Sequence, residues 1–151
     1  MTQGNSPSTL KPIFRSIEVS TGVPITLGEP LSDAAKELLV PPWEAQQKQY
    51  RLKPGSFKDA VEIVIQLTDA TVGADLVQWM SFRYADGTDY KEMVANFEWQ
   101  IGPPTSQNGG NGNEVSIWQD PSTRFQLVNS ASGIQSMLRD LTLPPAGQKE
   151  A

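Results

Sequence analysis

The chain of 151 residues contains no cysteine and no histidine. Without cysteine it can form no disulfide, no thiolate nucleophile and no thiolate-ligated zinc or iron–sulfur site. Without histidine it has no imidazole base for a catalytic triad and no imidazole ligand for zinc, copper or haem. Any catalysis would depend on Asp, Glu, Lys, Tyr or Ser, and any metal would be a hard cation such as calcium or magnesium. We therefore predict no cofactor.

Basic residues and long apolar runs are also scarce. The 17 acidic and 12 basic residues give a formal charge of −5, which argues against broad phosphate binding and predicts no direct nucleic-acid partner. No run of apolar residues is long enough to span a membrane, so no membrane partner is expected. Residues 1–9 lack the charged-then-apolar pattern of a secretory signal. A virion or cytoplasmic location is favoured over secretion through a classical signal.

Glycine and proline, by contrast, are abundant, with 12 of each, and they favour turns over long helices. The length predicts a single domain. Residues 1–12 are polar and contain proline, which is typical of a flexible N-terminal arm, and the composition of residues 144–151 is typical of a flexible C-terminal tail. Residues 13–143 are then one β-rich domain.

Alternating apolar and polar residues predict short strands before residue 70. Residues 13–20 alternate, and 25–27 can resume that strand as an edge piece after a proline. In residues 61–67 the β-branched content favours a strand over a helix that would start at Ser56. Residues 43–52 fit either a helix or a strand.

The longest alternating pattern covers residues 76–101 and predicts a hairpin. Its first arm, 76–84, is followed by an Asp-Gly turn signal. On the return arm, apolar residues recur at every second position from Met93 to Ile101, and polar residues fill most positions between them. We therefore expect a long hairpin with an apolar side and a solvated side.

Two short helices are predicted. Ser32 can cap a helix over residues 33–39, which ends before two prolines. A second helix is predicted over residues 133–141 from four apolar residues at helical spacing. These are Ile134, Met137, Leu138 and Leu141.

Residues 102–113 have low complexity and predict a long Gly/Asn loop. After it, residues 114–119 and 124–129 alternate on either side of a turn and predict a second hairpin. Together these elements predict a mainly β fold. Its architecture would be an antiparallel β-sandwich or open barrel of six to seven strands with two short helices.

Two tryptophans lie on the predicted strand faces that are less buried, and arginine accompanies one of them. Trp and Arg are enriched as anchors in protein interfaces. A place in the core is the alternative, and a platform for carbohydrate or nucleic acid is a third interpretation. The candidate interface residues include these three and four from the predicted loop. They are Trp79, Arg83, Trp118, Asn108, Gly109, Gly110 and Asn111.

Acidic residues supply the remaining catalytic or metal-binding hypotheses. A hard-cation site would draw on Asp69, Asp75, Asp86, Asp89 and Glu92. Their spacing matches no EF-hand, and turn formation explains Asp86 and Asp89 more simply. A glycosidase would need two carboxylates about 5–10 Å apart. Glu92 and Glu98 would stand about 20 Å apart along one strand, and Glu62 would have to meet one of them. We therefore predict no catalytic or metal-binding residue.

These exclusions leave a non-catalytic structural subunit of a larger protein assembly as the expected function. A virion component of a bacterial virus (capsid decoration, tail tube or neck) is its specific form. Its partners would be other protein subunits, in a homo-oligomer or a multi-protein assembly. The alternative is a soluble β-barrel accessory or small-ligand-binding module, with a pocket lined by Trp79, Phe82, Trp99 and Trp118. A carboxylate-based hydrolase is the third hypothesis.

Overall fold

In the computed structural model of this chain, the described residues form two antiparallel β-sheets and two helices. The description covers residues 12–19, 22–40, 48–53, 60–68, 75–110 and 113–143. The strands are β1 (Ser16–Val19), β2 (Val23–Thr26), β3 (Gln49–Arg51), β4 (Glu62–Leu67), β5 (Val77–Arg83), β6 (Ser106–Gly110), β7 (Asn113–Gln119), β8 (Thr123–Ser130) and β9 (Gly133–Asp140). The helices are α1 (Asp33–Lys36) and α2 (Tyr90–Ile101). The predicted mainly β class is confirmed.

Seven strands form a large sheet in the order β3-β4-β5-β9-β8-β7-β6, and β1 pairs with β2 in a small one. The small sheet packs on one face of the large sheet, since the ring of Phe14, just before β1, lies 5.1 Å from that of Phe125 on β8. We call this face the inner face and the opposite one the outer face. The layered arrangement agrees with the predicted sandwich or open barrel, although the nine described strands exceed the six or seven expected.

The core lies on the inner face of the large sheet. A row of directly paired residues crosses five neighbouring strands there: Ile65, Met80, Leu138, Phe125 and Trp118. Each is at most 1% exposed. Removing one such side chain from water contributes about 1.5–3 kcal/mol, so this row is a main source of stability.

Several predicted elements are present. Ser32 caps α1, and its hydroxyl accepts a hydrogen bond of 3.1 Å from the backbone N–H of Ala35. The segment 61–67 is a strand, and the hairpin of β7 and β8 lies where it was expected. The ambiguous segment 43–52 contains strand β3, while its residues 43–47 lie outside the described residues.

The predicted return arm of the long hairpin is wrong, because residues 90–101 form helix α2. The Asp89 side chain caps the helix by accepting a hydrogen bond from the backbone N–H of Glu92. The residues that face the protein recur at helical spacing: Tyr90, Met93, Val94, Phe97 and Ile101. The apolar residues of this segment therefore fit the period of a helix and the period of a strand equally well. Packing against the sheet selects the helix.

The predicted helix over 133–141 is also wrong, because this segment is β9, an interior strand between β5 and β8. Its inner-face residues are Ile134, Ser136, Leu138 and Asp140. All four are buried, two of them polar. The two polar residues hide the alternation of apolar residues that would have indicated a strand.

The predicted Gly/Asn loop is wrong in part. Residues 106–110 form β6, an edge strand that pairs with β7. Backbone hydrogen bonds hold this strand without apolar side chains, so its composition carries no strand signal. Of the predicted arms, residues 1–11 and 144–151 lie outside the described residues.

Candidate functional site

The outer face of the large sheet carries hydrophobic side chains that are only half-buried. Directly opposed residues in antiparallel strands point to the same face, so the register identifies this set. It comprises Val64, Trp79, Val115, Ile117, Val128 and Met137. A face of this kind combines apolar contact area with access for another molecule.

Four of the five arginines of the chain also lie on the outer face. Two of them, Arg51 and Arg83, share the carboxylate of Glu62 at 3.1 Å and 3.3 Å. Burial alone would raise the pKa of Glu62, but hydrogen bonds and charge from the two arginines hold that pKa below its ordinary value. Among the described strand residues, the outer face therefore carries four positive charges against one negative charge.

The other two arginines form what we call the arginine strip, together with Trp79. Arg124 on β8 lies directly opposite Arg139 on β9, and Arg139 lies directly opposite Trp79 on β5. Arg124 donates a hydrogen bond of 3.1 Å to the amide oxygen of Gln126. Within the described ranges, neither arginine forms an ion pair with a carboxylate. Like charges directly opposite across a ladder destabilise a sheet, so this pair favours an anionic partner.

On the other side of the sheet, α2 and β1 enclose an open groove of about 720 Å³, which we call the aromatic groove. Its floor contains Phe14, Phe82, Phe97 and Phe125. The rings of Phe97 and Phe125 lie 4.7 Å apart, so the floor is a packed aromatic surface.

The edges of the aromatic groove are acidic. Glu18 on β1, Asp89 at the start of α2 and Glu92 in its first turn all line it and are all exposed. No lysine or arginine is among the described residues that line the groove. The two candidate surfaces thus have opposite charge and lie on opposite sides of the same sheet.

The structure separates the predicted interface residues. Trp79 and Arg83 lie on the outer face, half-buried and exposed respectively. Asn108 and Gly109 are exposed on the edge strand β6. Gly110 ends that strand, and Asn111 lies outside the described residues.

The prediction that Trp118 lies on a less buried strand face is wrong. Its side chain is fully buried on the inner face, and its indole N–H donates a hydrogen bond of 2.9 Å to the carbonyl of Gly102. The predicted faces of the strand were exchanged, because Ser116 and Trp118 point inward while Val115 and Ile117 point outward.

The tryptophan-lined pocket of the alternative hypothesis does not form. Of its four predicted residues only Phe82 lines the aromatic groove. Trp79 lies on the outer face and Trp118 in the core, while Trp99 is 79% exposed on α2.

The acidic residues do not converge on a catalytic or metal centre within the part of the chain that is described. No three of them come close enough to hold a metal ion there. Asp75 pairs with Lys48 at 3.3 Å, and Asp89 caps α2. Asp86 is exposed, and Asp69 lies outside the described residues.

Arg124 and Arg139 were not among the predicted interface residues. Arg124 lay at the start of the predicted strand over 124–129, but its neighbour Arg139 fell in the segment predicted as a helix. Their juxtaposition depends on the pairing of β8 with β9, which that prediction concealed. If residues 133–140 had been predicted as a strand that pairs with 124–129, the two arginines could have been recognised as neighbours.

No described helix is long and apolar enough to cross a membrane. Comparison with protein families, with curated proteins and with solved structures finds no match to this chain.

Proposed function

We propose that the protein is a non-catalytic structural subunit that assembles with further copies of itself, with the outer face of the large sheet as a contact surface. The half-exposed hydrophobic rows on that face carry the proposal. Val115 pairs directly with Val128, and Ile117 and Met137 lie on either side of Gln126 in a second row, so apolar side chains extend over three neighbouring strands. A seven-stranded face measures about 30 Å by about 20 Å, which approaches the roughly 800 Å² that each partner buries in a standard interface.

Neither Glu62 nor Asp140 has the pKa direction that the general acid of a carboxylate hydrolase needs. A general acid in a carboxylate hydrolase needs a raised pKa. The two carboxyl groups of Glu62 and Asp140 have pKa values below the ordinary range, because hydrogen bonds and neighbouring arginines outweigh the opposing effect of burial. Glu62 forms ion pairs that join β4 to β3 and β5, and Asp140 forms one that joins β9 to the segment before β1.

The specific form of the proposal is a virion component of a bacterial virus, such as a tail-tube, neck or capsid-decoration subunit. Subunits of this kind repeat around a ring, along a tube or over a shell. The net charge of −5 is compatible with a tube lumen that repels passing DNA. Electron micrographs of the concentrated protein would show rings or tubes in the first two cases.

Sedimentation velocity of the full chain, from low to high micromolar concentration, tests the proposal. The wild-type chain should sediment as an oligomer. Ile117→Glu and Met137→Glu each place a charge in the apolar rows and should shift the protein toward the monomer. Ala95→Glu places the same charge on the exposed side of α2 and is the matched control. A folded wild-type chain that remains monomeric over the whole range contradicts the proposal.

A second candidate function is the binding of a small ligand in the aromatic groove, whose volume of about 720 Å³ falls in the range of ligand pockets. Trp118 would report binding, because its ring lies 6.0 Å from that of Phe97 on the groove floor. A saturable change of tryptophan fluorescence on titration with hexylamine, lost in Met93→Lys, supports this function. An unchanged spectrum rejects it.

A further inference from the structure

We infer that the arginine strip of one copy docks into the aromatic groove of the next, in a head-to-tail contact. This inference rests on the proposed self-assembly and names the two surfaces that meet. The strip consists of Trp79, Arg124 and Arg139, and the groove is edged by acidic residues from β1 and α2.

The strip requires an anionic partner for a physical reason. Arg124 and Arg139 are directly opposed, half-exposed and without an ion-pair partner among the described side chains. Their repulsion costs stability in the isolated chain. The cost is removed when carboxylates of another molecule lie between or beside the two guanidinium groups.

The aromatic groove offers the chemistry that a guanidinium group prefers. Arginine stacks on aromatic rings and pairs with carboxylates through its planar fork. Phe14 and Phe97, both partly exposed and with rings 6.1 Å apart, supply such a floor, and Glu18, Asp89 and Glu92 supply the carboxylates. The three acids meet no basic residue among the described residues of the groove, so they are available to a cation from outside.

The placement of the two surfaces determines the kind of assembly. They lie on opposite faces of one sheet, so a pair of copies that meets through them leaves one strip and one groove unused. Such a heterologous contact propagates, and it closes into a ring or continues as a filament. A contact between charged surfaces also weakens as salt is raised.

A second copy is the occupant that the charges favour. The chain is acidic overall, yet its outer face is basic, so the molecule carries both halves of a complementary pair. A nucleic acid would also meet arginines through its phosphates, but it would leave the acidic groove without a role. Nucleic-acid binding is therefore an alternative outcome of the test.

Charge reversal on each surface tests the contact by sedimentation velocity. In the strip variant, Arg124→Glu and Arg139→Glu make both surfaces acidic. In the groove variant, Glu18→Lys and Glu92→Lys make both surfaces basic. Each variant should lose about tenfold or more in self-association. A chain with all four substitutions restores complementarity and should associate again, as should a mixture of the two variants.

Two controls separate the contact from general effects of charge and folding. Lys36→Glu with Lys91→Glu reverses two exposed cations on the helices and should associate like the wild type. Circular dichroism and thermal melting establish that every variant is folded. If the strip variant is unfolded, a variant with the neutral substitutions Arg124→Gln and Arg139→Gln replaces it in the test.

The outcomes are distinct. If self-association persists in both reversed variants, the inference is overturned and the proposed assembly stands. If association is lost but the fourfold variant and the mixture do not recover it, the inference is also overturned. A fluorescein-labelled single-stranded oligonucleotide that binds the wild type and not the strip variant would then identify the strip as a nucleic-acid site. If the wild type never associates, both proposals fail.

Discussion

The guanidinium group of Arg15 pairs with the carboxylate of Asp140 and so joins the segment before β1 to the end of β9. Arg15 also donates a hydrogen bond of 2.7 Å to the hydroxyl of Thr123 on β8. Asp140 is 1% exposed, and it accepts further hydrogen bonds from the backbone N–H and hydroxyl of Thr142. A Cβ on Gly28 would lie 3.1 Å from the carboxylate of Asp140, so this position favours glycine. The arrangement fixes the small sheet on the large one.

Replacing Asp140 by asparagine should therefore destabilise the protein by about 2 kcal/mol, because a buried carboxylate loses its charge while Arg15, a third of whose side chain is exposed, keeps its own. Urea denaturation measures the loss. The matched control is Asp75→Asn, which breaks the exposed pair with Lys48 and should cost less than about 0.5 kcal/mol. Equal losses in the two variants would contradict a structural role for the Arg15–Asp140 pair.

The same pair predicts how stability depends on pH. Burial opposes ionisation of Asp140, but the Thr142 hydrogen bonds and Arg15 outweigh it and hold its pKa below the ordinary value; the pKa of Glu62 is lowered by Arg51 and Arg83. The stabilisation is thus fully present above the unfolded pKa of about 4 and is lost as pH falls through the folded pKa.

Between about pH 7 and pH 5, these two groups should therefore change the urea midpoint of denaturation very little. When the pH is lowered beyond about 4, the midpoint should decrease. Asp140→Asn should flatten the acid limb, since one of the two titrating groups is gone. An acid limb as steep in the variant as in the wild type would show that other carboxylates control acid unfolding.

The side chain of Asp89 stabilises the start of α2 as its N-cap. Asp89→Ala should destabilise the protein by about 1 kcal/mol, because the backbone N–H of Glu92 loses its acceptor. Asp89→Ser keeps an acceptor without the charge and should retain most of the stability. Thermal melts of both variants separate capping from charge, and a serine variant as unstable as the alanine variant would assign the effect to charge.

Repulsion within the arginine strip predicts a substitution that stabilises the isolated chain. Arg139→Gln removes one of two like charges that face each other and should raise the free energy of unfolding by a few tenths of a kcal/mol. The gain should shrink at about 0.5 M salt, where screening weakens the repulsion. Urea denaturation of dilute protein at low and high salt measures it. A loss of stability at both salt concentrations would show that Arg139 contributes packing that outweighs its charge.

Residues with a local signal were predictable from the sequence. The alternation in β4 and in the β7–β8 hairpin needs only the period of a strand, and the Ser32 cap of α1 needs only neighbouring residues. The lack of cysteine and histidine is a matter of composition alone, and it excludes every site that needs a thiolate or an imidazole.

Where the apolar residues of a segment fit both a helix and a strand, the structure that forms depends on contacts with distant residues. Strand β9 carries Ser136 and Asp140 on its buried face, and these are satisfied by Tyr84 and Arg15, which are 52 and 125 residues away. A buried polar residue is stable only with hydrogen-bond partners, and although Thr142 lies close to Asp140 in the sequence, Tyr84 and Arg15 lie far from β9 along the chain.

The amino-acid sequence by itself determined the mainly β class, the short strands with clean alternation and the narrow range of chemistry open to the chain. Tertiary structure alone decided that 90–101 is a helix, that 133–140 is an interior strand and that Arg124 faces Arg139. The physical reason is that local propensities differ by less than the free energy of packing on the sheet, so contacts between distant segments select the structure.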